Sequence, residues 1–155
     1  SERSMKNKTT YEEYLREKGE LTYTFKGVSM RPWLIEGRDL FTVKAKPEGR
    51  CRKYDVVLYR SGSGQYILHR IIEVRETDYV LRGDNCINRE PGIRDEDILG
   101  IMTSFVRNGR EISVNGRGYQ LLVRIWHYSY PVRFLWKNIK GRVGRSVRRF
   151  KKRQK

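Results

Sequence analysis

Tyr66-Ile67-Leu68-His69-Arg70-Ile71-Ile72-Glu73-Val74-Arg75, Glu76-Thr77-Asp78 and Tyr79-Val80-Leu81-Arg82-Gly83-Asp84-Asn85 form the continuous stretch whose reading decides the fold. Its two apolar segments are rich in β-branched and aromatic residues, which fit a pleated, half-buried surface. The three polar residues between them make a hairpin-type connection. Two adjacent strands are therefore predicted, with a Gly-Asp-Asn turn at their end. On its own, His69 reads as a satisfied core histidine, and Asp84 as a turn former that bonds its own backbone.

The same pattern extends in both directions. Leu21 to Phe25 alternates as a strand, and Leu40 to Val43 and Asp55 to Arg60 carry strand-type residues. Ser61-Gly62-Ser63-Gly64 is a second hairpin connection. Ile98 to Arg107 and Arg110 to Val114 flank Asn108-Gly109, a strong two-residue hairpin signal. Without helix–strand alternation a doubly wound parallel sheet is not expected, and residues 21–116 are expected to form a compact, mostly antiparallel β domain. Ahead of it, residues 1–20 read as a helical arm. Thr10 is placed to cap a helix through Lys18, Glu12 and Glu13 suit its positive first turn, and Gly19 ends it. Met5 reads as the natural start, and Ser1 to Lys26 contain no apolar run of signal-peptide length.

A second stretch, Gly27-Val28-Ser29-Met30-Arg31-Pro32, supplies what the histidine and the Gly-Asp-Asn turn lack. Alone, Ser29 is a turn serine. A serine hydroxyl is a weak nucleophile that needs a base to take its proton, and imidazole titrates near neutrality. A carboxylate on the far ring nitrogen fixes the tautomer, and backbone N–H groups around the serine can receive an oxyanion. The chain has two histidines, so one falling in this constellation carries weight.

Along the chain stand, in this order, Val28 to Pro32, Gly37-Arg38-Asp39, Tyr54 to Tyr59, His69 to Ile72, Tyr79 to Asn85 and Asp97-Ile98-Leu99-Gly100. This set resembles the type I signal peptidases, membrane-associated serine proteases that remove leader peptides. The resemblance implies a coiled, partly open β-barrel related to that of LexA-type repressors. It also implies Ser29 as nucleophile. Where most bacterial members carry a lysine base this chain has His69, as in the endoplasmic-reticulum-type branch, and Asp84 then orients the imidazole. Glu90, Asp95 and Asp97 remain candidates for a second acidic residue. The family's usual transmembrane anchor before the serine is not visible. Gly27 stands where a hydroxyl residue often helps bind the oxyanion, leaving backbone at Gly27 and Ser29 for that role. Met30 and Trp33 line the substrate groove or belong to the core. The resemblance implies a substrate held as an extended strand, with small side chains at the first and third positions before the cut.

Residues 117–155 have another character. From Ile101 onward there are fifteen Lys and Arg against the single acid Glu111, a net +14 of the chain's +16. The first hundred residues are nearly neutral. Tyr119 to Trp136 mixes apolar and aromatic residues with Arg124 and Arg133, and Pro131 interrupts it, so no uncharged stretch reaches the ~18–20 residues of a span. Ile139, Val143, Val147 and Phe150 follow a helical rhythm within a basic segment. The expectation is an interfacial anchor on an anionic membrane, with Trp126, Trp136, Arg133 and Lys137 at the headgroups. A helix packed on the protein's own barrel is the other account. Positive charge without a secretory signal favours the cytoplasmic face. His127 is assigned no chemistry.

Nucleic acid is the competing partner for a basic tail. LexA-type proteins, however, use a serine–lysine dyad and a separate DNA-binding domain, for which this chain has neither the lysine nor the length. Cys51 and Cys86 read as free thiols, with no metal-ligand spacing. No metal and no cofactor are expected. The resulting expectation is a serine endopeptidase that cleaves leader peptides at a membrane surface; a non-catalytic peptide-binding module is the alternative.

Overall fold

The computed structural model describes residues 10–153, and side chains from residue 10 to residue 145. The chain divides into two compact units, Ser1–Gln120 and Leu121–Lys155, a few residues beyond the expected boundary at 116.

The first unit opens with α1 (Tyr11–Lys18), held as its ends predict. Thr10 Oγ1 accepts the Glu13 N–H at 3.2 Å, and the Glu13 carboxylate accepts the Thr10 N–H at 3.1 Å, a reciprocal capping box. Gly19 terminates the helix at φ 74°, a left-handed position that glycine adopts without a Cβ clash. Leu15, the one buried residue of α1, lies over Gly100. A side chain at Gly100 would meet the Lys44 carbonyl oxygen at 2.6 Å, so the glycine is what lets the two strand backbones approach.

Among the described residues eight strands follow: β1 (Glu20–Thr24), β2 (Leu40–Ala45), β3 (Val56–Arg60), β4 (Tyr66–Val74), β5 (Tyr79–Arg82), β6 (Glu90–Ile93), β7 (Ile98–Arg107) and β8 (Arg110–Ser113). All pairings are antiparallel, in the order β1-β2-β7-β3-β4-β5-β6 with β8 also on β7. The expected mostly antiparallel β architecture is therefore present. Among the described residues the sheet stays open, with β1 and β6 at its ends. Register shifts at Thr42/Val43, Leu58/Tyr59 and Ile71/Glu73 bend it.

β6 was not legible beforehand. Pro91 and Gly92 read as breakers, yet an edge strand tolerates both, because its outer N–H groups need no partner strand. The Gly92 N–H instead donates to Asp78 at 2.9 Å.

Val57, Tyr59, Ile71, Tyr79, Leu81 and Ile98 form an apolar cluster with Cys51. Beside it a charged pair is buried. Arg70, on β4, gives Nε and one terminal nitrogen to the two oxygens of Asp84, each at 2.8 Å, with side-chain exposures of 3% and 5%. Its remaining donors reach the Tyr54 carbonyl and the Tyr119 hydroxyl. A desolvated pair survives only when its hydrogen bonds are satisfied in this way.

In the second unit, the rest of α2 (Arg117–Tyr128) meets α3 (Tyr130–Arg153) at Ser129. Pro131 falls in the first turn of α3, where its missing N–H costs no hydrogen bond. Arg133 bridges the joint. It donates to the Trp126 carbonyl at 2.7 Å and to Ser129 Oγ at 3.1 Å, and its guanidinium lies 3.8 Å from the Trp126 ring centre.

Arg70→Met is expected to destabilise the protein by about 3–5 kcal/mol, because it strands the buried Asp84 carboxylate. The double substitution with Asp84→Leu should regain most of that loss. Urea unfolding measures both, and equal losses in the single and double variants would contradict the pairing.

Candidate active site

The serine turn is built on a brace. Asp39, 1% exposed, accepts the Ile35 N–H at 2.8 Å and two bonds from Arg38, closing the loop that follows Ser29. The Gly-Asp-Asn turn grips the front of that loop. Asn85 N–H donates to the Ser29 carbonyl at 2.8 Å, and Asn85 Nδ2 to the Val28 carbonyl at 3.1 Å. Two stretches more than fifty residues apart are thus locked together by one backbone and one side-chain donor of Asn85.

Gly83 is the point of closest approach. A Cβ added there would lie 2.7 Å from the Ser29 carbonyl oxygen, 2.7 Å from Cys86 Sγ and 3.0 Å from His69 Nε2. Only glycine leaves this space, and the space brings Ser29, His69 and Cys86 to one place. Among the described residues no hydrogen bond joins Ser29 Oγ to His69. Catalytic hydrogen bonds commonly tighten only when substrate binds.

The other face of the imidazole is also defined. Val57 pairs with His69 and Tyr59 with Ile67, so Tyr59 and His69 are diagonal neighbours on one face of the β3–β4 pair. The Tyr59 hydroxyl donates to Glu90 Oε2 and lies 3.4 Å from His69 Nδ1, while Glu90 Oε1 lies 3.5 Å from the same nitrogen. A phenol has one proton to give, and Glu90 takes it. The proton on the ring therefore belongs on Nδ1, facing Glu90, and Nε2 turns its lone pair toward Gly83 and Ser29. That is the tautomer a general base requires. Burial holds the His69 pKa below its ordinary value, although the Glu90 and Asp84 charges pull it upward. The imidazole is therefore neutral at pH 7.

Several expectations are corrected by this geometry. Asp84 gives both carboxylate oxygens to Arg70, and the carboxylate at Nδ1 is Glu90. Asp84 shapes the turn, and Glu90 orients the ring. Of the two other acidic candidates, Asp95 accepts the Tyr79 hydroxyl at 2.6 Å and pairs with Arg50, and Asp97 accepts the Arg94 N–H at 3.0 Å. Gly27 donates its N–H to Glu36 at 3.1 Å, which takes it out of the oxyanion role. The backbone N–H groups of Ser29 and Met30 carry no hydrogen bond among the described residues. Met30 itself is fully buried and belongs to the core, so its side chain does not line a groove. Trp33 is half-buried, edge-on to Tyr119 with ring centres 5.5 Å apart. Trp126 and Arg133 are engaged with one another, whereas Trp136 and Lys137 are exposed.

Tyr59 and Cys86 went unrecognised in the sequence. Tyr59 looks like any aromatic of a buried strand, and its only signal is its place on the histidine's face of β3. Cys86 follows the Gly-Asp-Asn turn without a spacing that marks chemistry.

No protein-family model matches this chain, and neither a curated protein nor a solved structure gives a match.

The depressed His69 pKa has a consequence for stability. The unfolded chain takes up the histidine proton at about pH 6.5, and the folded protein only at lower pH. Between those values the unfolded state binds more protons, so stability falls as the pH drops below about 6.5, and this group has no effect well above it. Urea unfolding should show wild type losing more stability than His69→Gln between pH ~7 and pH ~5. Equal losses would contradict the buried, neutral imidazole.

Proposed function

We propose that this protein is a serine endopeptidase of the signal-peptidase type, acting on leader-bearing peptides at an anionic membrane surface. The observation that carries the reading is the imidazole, with Nδ1–H directed to Glu90 and Nε2 open toward the serine turn. The open, bulged antiparallel sheet supports the coiled barrel that the resemblance implies.

In this mechanism Ser29 Oγ attacks the scissile carbonyl while His69 Nε2 takes its proton. Glu90 stabilises the imidazolium that forms, and the Ser29 and Met30 N–H groups receive the oxyanion. The imidazolium then protonates the leaving amine. Water, deprotonated by the same nitrogen, attacks the acyl-enzyme and releases the acid and Ser29. Because burial lowers the His69 pKa, the acid limb of the activity lies below the ordinary histidine range.

Mass spectrometry of a diverse leader-peptide pool on anionic vesicles tests the chemistry. Cuts should appear with wild type and vanish with Ser29→Ala. Identical pools, with both proteins folded and vesicle-bound, would overturn the peptidase in favour of a peptide-binding module.

The second unit supports the membrane part of the reading. Leu121, Ile125, Tyr128, Val132, Leu135, Ile139 and Val143 recur at helical spacing along α2 and α3, and all are between 46% and 71% exposed. After Glu111 no acidic residue occurs. Among the described residues no helix is long and apolar enough to cross a membrane, so this stripe is proposed to lie in the interface. At about 1 kcal/mol per basic residue, Lys140→Gln with Arg142→Gln should weaken anionic-vesicle binding roughly 30-fold. Co-sedimentation at physiological salt checks this, and failure of wild type to sediment would end the membrane proposal. Added DNA that strips the protein from vesicles would favour nucleic acid as the tail's partner.

A further inference from the structure

Cys86 is the one nucleophile in the Gly83 space that the proposed hydrolysis does not use. Its Sγ lies 2.7 Å from the point beside Gly83 that is 3.0 Å from His69 Nε2, so thiol and imidazole border the same small volume. The thiol is aimed at the Ser29 carbonyl, 4.0 Å away, and its residue is part-exposed. Its position is set by the tight turn in which the Cys86 N–H donates to the Gly83 carbonyl at 2.9 Å.

A second observation makes this a pair. The His69 side chain is 9% exposed, and its Nε2 has no hydrogen-bond partner among the described residues. That nitrogen faces the same point beside Gly83 as the Cys86 thiol. The groups facing the pair are Tyr59 from β3, Asp84 from the turn and Glu90 from β6. Cys51 provides the contrast, because it is 4% exposed inside the apolar cluster, where burial pushes its thiol pKa up.

We infer that Cys86 is a thiol-modification site, activated by His69, that exchanges with small-molecule disulfides to form a mixed disulfide in the mouth of the Ser29 site. The Cys86 thiol gives its proton to His69 Nε2, and the thiolate attacks one sulfur of the disulfide. That S–S bond breaks as the new one forms, and the departing thiolate recovers the proton from the imidazolium. One thiol and one disulfide give one mixed disulfide and one thiol, with no external oxidant. The adduct sits beside Ser29 and His69, and the loss of peptide cleavage that follows rests on the peptidase reading.

The test is exchange with glutathione disulfide, followed by intact mass and peptide mapping of the native full chain, so that it does not depend on cleavage. Cys86 should be modified while Cys51 stays reduced, and His69→Gln should slow the exchange roughly a hundredfold, the lower end of what a positioned base contributes. Glu90→Gln, which keeps the imidazole but removes the Nδ1 carboxylate, should slow it less. Ser29→Ala should exchange like wild type, which separates failure of this inference from failure of the peptidase. If native Cys86 reacts no faster than Cys86 of the urea-unfolded chain, or equally fast in folded His69→Gln, the inference is overturned.

Discussion

The site depends on one buried ion pair. Arg70 neighbours His69 on β4, and its two bonds to Asp84 determine where the chain leaves β5 and turns. That turn carries Gly83 to His69 Nε2, Asn85 to the Ser29 carbonyl and Cys86 to the same space. Desolvating both charges is costly, and the expense is offset only by the full set of guanidinium bonds, including those to Tyr54 and Tyr119. The residue in the motif that looked catalytic is thus the one that builds the site.

Around this pair the imidazole has two sides with different work. On the Nδ1 side, Tyr59 and Glu90 form a short polar chain that fixes the ring and its proton. On the Nε2 side, the absence of a side chain at Gly83 lets the serine turn and a thiol pack close to the ring. The proposed peptidase and the proposed thiol exchange therefore share one base and would exclude one another in time.

Charge is divided as sharply as structure. The nearly neutral first hundred residues hold most of the sheet, and the basic excess lies beyond them, on β7, β8 and the two helices. Arg133 shows how a charged residue can serve structure within that segment. It ties the joint at Ser129 by satisfying the Trp126 carbonyl, and it stacks on the indole of the same residue. Trp136 lies exposed one turn further on.

Local chemistry was readable directly. The Thr10 capping box, the Gly19 terminus, the Asn108-Gly109 hairpin and seven of the eight strands follow from periodicity, propensity and turn residues, which act over a few positions. Residue order also singled out Ser29 and His69, although their chemistry is still a proposal. What the tertiary structure alone decided is which acid meets which base. Asp84, Glu90, Asp95 and Asp97 are alike in charge, and nothing local distinguishes them. Strand pairing places Glu90 opposite Leu81 and beside Tyr59, while the turn drives Asp84 into Arg70. Carboxylate pairing is a matter of a few ångströms between distant segments, and such distances exist only once the sheet has closed its register.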